Sequence, residues 1–240
     1  MKKTKQTWLL GACVALALLT GCAQAPKKQA FNAAAAGHIK AVLVTQNPNQ
    51  ESYDVAILAH PGMSFGLIGG LVAAADMQSK SAKLTAAINV GETRLQERFS
   101  AQLTQKLGDL GYQTSITMLP KELRDEEVLG QAKAQGKGDA VMAVRLTGGY
   151  WAAGPSSDYF PRLIANVRTF DALSGATLYE DTFTYGYAVP NAPTIHMASD
   201  PQYRFANIDA LVADPVKTRQ GLLAGLEAIA AQIAQDLKRP

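Results

Sequence analysis

The sequence predicts an α/β fold, a mixed sheet flanked by helices. Three observations carry this. Residues 93–110 and 215–237 repeat apolar side chains at spacings of three and four, the period of a helix with one buried face. Runs opening at Ile39, Tyr53, Tyr112 and Gly138 are β-branched, alternating or mostly apolar over strand-like lengths. Residues 162–187 hold two further such runs around a glycine-bearing turn, the pattern of a hairpin.

The elements follow in chain order. "IKAVLVTQ", from Ile39, is the first strand, "NPNQ" a turn and "YDVAILAH" the second strand. Residues 61–90 form a glycine-rich helical segment. The helix over 93–110 carries Leu95, Phe99, Leu103, Leu107 and Leu110 as its stripe. Thr93 with Gln96 has the form of a capping box, and Gly111 stands where a left-handed C-cap belongs. "YQTSITML" alternates, with Tyr112, Thr114, Ile116 and Met118 on one side. Residues 121–135 make a polar helix. Its Glu122, Asp125, Glu126 and Glu127 suit a helix N-terminus through the macrodipole, with no histidine or second acidic cluster nearby in sequence to suggest a metal. "GDAVMAVRL", residues 138–146, suits the centre of a sheet. In the hairpin, Leu163, Ala165 and Val167 form the drier face against Ile164, Asn166 and Arg168, and Gly175 supplies the positive φ of the turn. A proline-rich polar loop runs from Pro190 to about Asp214. The last helix starts at Pro215 behind Asp214 as N-cap, with Leu222, Leu226, Ile229, Ile233 and Leu237 as its stripe and Lys238 and Arg239 at its C-terminal end.

The first residues read as a secretory leader. "MKKTKQTW" is basic through Lys2, Lys3 and Lys5, and the apolar run "LLGACVALALL" follows at once, too short to cross a bilayer core of roughly 30 Å as a stable helix. The run ends in Leu19, Thr20, Gly21 and Cys22, which resembles a bacterial lipobox. That resemblance implies a signal peptide over 1–21, cleavage before Cys22, and diacylglycerol and an acyl chain such as palmitate on Cys22. Several chains hold a protein to a bilayer far better than one, since each buried CH₂ contributes about 0.8 kcal/mol. Ala23 after the cysteine, where an aspartate would imply inner-membrane retention, implies the periplasmic face of the outer membrane. Residues 22–37 are small and polar, a tether ahead of a single periplasmic domain over 38–240.

Charge and cysteine usage bound the function. The chain has 23 basic and 20 acidic residues; with Lys2, Lys3 and Lys5 removed the balance is 20 against 20. A neutral domain lacks the basic footprint of a nucleic-acid binder. Cys13 lies in the leader and Cys22 at the lipobox, so no thiol pair remains for a disulfide or a thiolate metal site.

Candidate sites are few. "PGMSFGLIGGLVAAADM", residues 61–77, is free of charge over about 14 residues, below the ~20 a helical span needs. Gly62, Gly66, Gly70 and Ala74 recur every fourth residue and would share one narrow helix face. Such a seam lets a second backbone approach, within the core, across a subunit contact or in a membrane. Glycine inside a helix costs roughly 1 kcal/mol relative to alanine, a cost that close packing offsets. "GGYWAAGPSSDYFP", residues 148–161, is a long loop whose Tyr150, Trp151, Tyr159 and Phe160 offer either a partner site or a lid on the core. His38, His60 and His196 show no metal-ligand spacing. "GMSFG" places Ser64 in a nucleophile-elbow pattern, with His196 and either Asp171 or Asp181 as further members of a triad.

"FSAQLTQKLGDLGYQTSI", "GKGDAVMAVRL" and "RTFDALSGATLYED" together resemble a bacterial envelope module, the amino-terminal domain of TolB and the related periplasmic domain of the curli secretion channel subunit. The likeness covers roughly residues 92–237 and rests on Gly138, Asp139 and Ala140 at a strand entry and on Asp171, Ser174 and Gly175 in a hairpin turn. It implies assembly, scaffolding or secretion work in the envelope, through self-association or a protein partner, with no enzyme activity, cofactor or metal. The alternative is a serine hydrolase built on Ser64.

Overall fold

The computed structural model describes residues 28–120 and 123–239. The leader, the motif Leu19, Thr20, Gly21 and the lipidation site Cys22 lie outside the described residues. The chain runs β1 (Ala41–Gln46), β2 (Asp54–Ile57), a 3-10 turn (Pro61–Phe65), α1 (Gly66–Ile88), α2 (Val90–Thr93), α3 (Leu95–Asp109), β3 (Gln113–Met118) and α4 (Asp125–Gln135). It continues through β4 (Ala140–Ala152), β5 (Tyr159–Asp171), β6 (Thr177–Gly186), β7 (Ile195–Met197), a 3-10 turn (Pro201–Tyr203), α5 (Ile208–Ala213) and α6 (Pro215–Asp236).

The strands form one mixed sheet in the order β3-β1-β4-β5-β6-β7. β4 is long enough to serve two parallel neighbours, β1 along Ala140 to Met142 and β2 along Gly149 to Ala152. β5 runs antiparallel to both of its neighbours, β4 and β6, and β7 is parallel to β6. The α/β class with a mixed sheet is thus the observed architecture.

One face of the sheet carries α1, α3 and α6. Leu95, Phe99, Leu103 and Leu107 from α3 and Leu222, Leu226, Ile229 and Ile233 from α6 are buried against Val42, Val44, Leu163, Ala165 and Val167. The expected dry face of the hairpin is the face that packs. On the other face α4 covers one end, where Val128 and Ala132 meet Leu43 and Val141. Farther along that face Asn166 is exposed and Ile164 and Arg168 are half-buried.

Four expectations are corrected. First, residues 148–161 are not a long loop. β4 extends through Ala152 and β5 begins at Tyr159, with Tyr150 opposite Pro161 and Trp151 opposite Phe160. The glycines that suggest a loop are packing glycines: a Cβ on Gly148 would lie 2.7 Å from Leu163 and 2.9 Å from Leu95. Second, the polar stretch after Pro190 contains β7 and α5. Third, Thr93 does not cap α3. Its hydroxyl donates to the carbonyls of Ile88 and Asn89, Arg94 turns the chain in the left-handed region (φ 39°), and Asn49 Oδ1 accepts from the Gln96 and Glu97 N–H groups at 3.0 and 3.2 Å. Fourth, the described part of the tether, 28–37, lies on the domain. Gln29 exchanges two backbone hydrogen bonds with Glu180, and Ala36 is buried.

Candidate interaction face

Pro61 opens the 3-10 turn behind His60, whose Nδ1 accepts from the Gly62 N–H at 3.1 Å. His60 Nε2 lies 3.2 Å from Asp76 Oδ2, and Lys80 pairs with the same carboxylate one turn later. The Lys80 ammonium, then burial opposing it, sets the balance that holds Asp76 below the usual carboxylate range. This cluster ties the turn back onto α1.

Gly66 breaks the expected single helix. Its φ of +63° ends the 3-10 turn and starts α1, so Gly62 does not share a helix face with Gly70 and Ala74. Close packing occurs elsewhere: Gly62 folds back onto Gly69 and Ala73, where a Cβ on Gly62 would lie 2.5 Å from the Gly69 carbonyl oxygen. Sequence reading missed Gly69, because it falls outside the four-residue period. Cβ atoms on Gly66 or Gly70 would meet nothing within 4 Å, and Ala74 is exposed. Gly66, Gly70 and Ala74, without Gly62, therefore form an open seam on this chain.

Around it stand large apolar side chains. Leu67, Ile68 and Phe65 are 82%, 78% and 75% exposed, and Met63, Leu71 and Val72 are exposed as well. Only the later part of α1 is held along its length by β2. There the N–H groups of Tyr53 and Val55 donate to Thr85 Oγ1 and Ser81 Oγ at 2.9 and 2.8 Å, and that of Ile57 reaches Met77 Sδ at 3.5 Å. These side chains, one turn apart, satisfy the free edge of β2 and pin the helix. The front of α1 runs beyond that support, uncharged until Asp76. Contiguous exposed apolar surface of this kind makes the front of α1 the candidate interaction face. No helix among the described residues is long and apolar enough to cross a membrane.

The structure does not assemble a triad at Ser64. Ser64 is an exposed residue of the 3-10 turn leading into α1, which lies along β2 beside β4. His196 sits on β7, three strands from β4, so about 14 Å of sheet separates those strands at ~4.8 Å each. Asp171 pairs with His38 at 3.1 Å and Asp181 with Lys28 at 3.4 Å. Among the described residues no three His, Cys, Asp or Glu side chains gather as a metal site.

The four aromatics of the expected loop divide by strand alternation. Tyr150 is fully buried, its hydroxyl donating to the Thr218 carbonyl at 2.9 Å, and Tyr159 is buried too; burial pushes both phenols upward in pKa. These two are core, not a partner site. Trp151 and Phe160 point to the opposite face, where Tyr187 contacts both rings at 6.3 and 6.1 Å.

No family model matches the chain, and no curated protein matches it. Among solved structures, the PelC dodecamer from Paraburkholderia phytofirmans, in space group P6, aligns over 89% of this chain and 96% of that chain, at 12% identity and a TM-score of 0.37. A point variant of the same dodecamer, in space group C2, aligns over 88% and 95%, at 11% identity and a TM-score of 0.35.

Proposed function

We propose that this chain is a lipid-anchored envelope protein of the outer membrane's periplasmic face that works, without catalysis, as an assembly or scaffolding component. It self-associates through the front of α1. The observation that carries the reading is the exposed apolar face of Met63, Phe65, Leu67, Ile68, Leu71 and Val72 beside the open seam of Gly66, Gly70 and Ala74. Burying one such large side chain contributes about 1.5–3 kcal/mol. A second copy fits because the face carries both bulky knobs and small residues, so it is complementary to itself about a two-fold axis. A membrane surface fits less well. Interfacial helices are rich in Lys and Arg, and here the first cation is Lys80, already paired with Asp76. The anchor is supported by the lipobox at Leu19, Thr20, Gly21 and Cys22, and the TolB-like assignment by the Asp139 and Asp171 turns.

The test is the mass of the full chain in mild detergent, by light scattering after gel filtration. A defined oligomer is expected, and Leu67→Lys with Leu71→Lys should convert it to a folded monomer with an unchanged circular-dichroism spectrum, because both side chains are exposed in the single chain. A wild-type monomer, or an oligomer indifferent to the two lysines, overturns the reading. Cys22→Ser should separately abolish acylation in a Gram-negative host.

A further inference from the structure

On the sheet face opposite α1, α3 and α6, the first part of β5 holds an arginine with no acid beside it. Arg162 is 5% exposed, and among the described residues no carboxylate pairs with it. Its Nη1 donates to the Tyr187 carbonyl at 2.7 Å, and its buried Nε–H has no acceptor. Burial lowers its pKa, with no acid to oppose the shift. Taking a guanidinium out of water is costly unless an anion compensates it, so its place calls for an anionic partner.

The surroundings are built for one. In register, Arg162 stands between Gly149 of β4 and Gly186 of β6, so neither neighbouring strand puts a side chain beside it on this face. Both glycines are obligatory: a Cβ on Gly149 would collide with the Asp54 backbone, and Gly186 has φ +90° as well as the Pro161 carbonyl against it. Trp151 forms one wall, its ring centroid 5.1 Å from the guanidinium carbon, with Tyr187 tilted against it. On the other side Thr184 Oγ1 lies within hydrogen-bond reach of Thr194 and of His196 Nδ1, at 3.1 and 3.3 Å. His196 is held neutral-leaning by burial and by Arg162, so it adds no competing cation.

We propose that Arg162 anchors the carboxylate of a small ring-bearing acid, aromatic or saccharide, whose ring lies against Trp151 and Tyr187. Guanidinium and carboxylate match as planar forks, and the free Nε–H with one Nη–H gives the side-on bidentate pair. The apolar ring then covers the aromatic wall, as ligand sites combine apolar walls with a few placed polar groups. This site is separate from the α1 face and stands without it.

Trp8 and Trp151 are the two tryptophans of the sequence, so the full chain with Trp8→Phe reports through Trp151. It is titrated with benzoate and with glucuronate at constant ionic strength, against benzamide and glucose. A saturable change in Trp151 emission with benzoate alone assigns an aromatic acid, and with glucuronate alone a sugar acid. Arg162→Met should weaken either by about tenfold or more, the loss of one charge-assisted partner. Arg162→Lys, which keeps the charge without the fork, serves if the methionine variant does not fold. No saturable response to either acid, an equal response to the neutral analogues, or unchanged binding in the folded variant overturns the proposal.

Discussion

The carbonyl of Gly62 lies so close to the Cα of Gly69 that a Cβ on Gly69 would collide with it, whereas one on Gly70 would meet nothing within 4 Å. Two adjacent glycines of α1 therefore have opposite roles. Gly69→Ala forces the 3-10 turn off the helix and should destabilise by about 1–3 kcal/mol, the range for overpacking. Gly70→Ala removes backbone entropy from the unfolded chain and should stabilise by roughly 0.5–1 kcal/mol. Urea unfolding of the two variants checks this; equal midpoints would show that the turn does not rest on Gly69.

The capping of α3 gives a second prediction. Asn49 Oδ1 accepts from two of the orphan N–H groups at the start of that helix. Asn49→Ala should cost about 1 kcal/mol, as for an N-cap. Gln96→Ala removes the residue that a local capping box would use and leaves both N–H groups capped. A larger loss for Gln96→Ala than for Asn49→Ala in urea unfolding would reverse this ranking.

That contrast shows what the chain reveals locally. The stripes of α3 and α6, the Asp214 cap and the Gly175 turn all lie within a few residues of the groups they serve, and each stands where periodicity and turn chemistry put it. Asn49 serves residues 47 and 48 positions away, which no local pattern encodes. Gly148 looked like a loop residue for the same reason: the Leu163 and Leu95 atoms that exclude a side chain there come from distant segments. The candidate α1 face was legible as an uncharged, small-residue stretch. Its exposure was not, because that depends on where β2 ends.

Tyr150 tests the hairpin that replaced the expected loop. Its hydroxyl meets the Thr218 carbonyl in a buried site, and its ring contacts Phe205 edge-on at 5.8 Å. Tyr150→Phe keeps the ring and leaves the carbonyl without this donor, so it should cost about 1–3 kcal/mol. Trp151→Phe, on the opposite and half-buried face, should cost less. Thermal unfolding of both separates a core role from a surface role; the reverse order would put Tyr150 back on a loop.

Acid should unfold this domain partly through two aspartates whose work is structural. Asp139 Oδ2 accepts from the Lys40 and Ala41 N–H groups at 2.7 and 2.9 Å, and Asp171 Oδ1 accepts from those of Leu173 and Ser174 at 2.7 and 2.9 Å. The Lys40 N–H first, then that of Ala41, holds Asp139 below its ordinary 3.8. The Ser174 N–H does the same for Asp171, against opposing burial and ahead of Leu173. The folded state therefore resists a proton that the unfolded chain takes up near 3.8. Each contribution is fully present above that value and is lost as pH falls through the lower, folded one. Asp139→Asn cannot make this linkage. Its urea midpoint should be lower than wild type at neutral pH, and the gap should narrow as pH drops toward 3, within about a unit of the ordinary carboxylate value. A gap constant from neutral to acid pH would mean that the two N–H bonds, and not the charge, carry the whole effect.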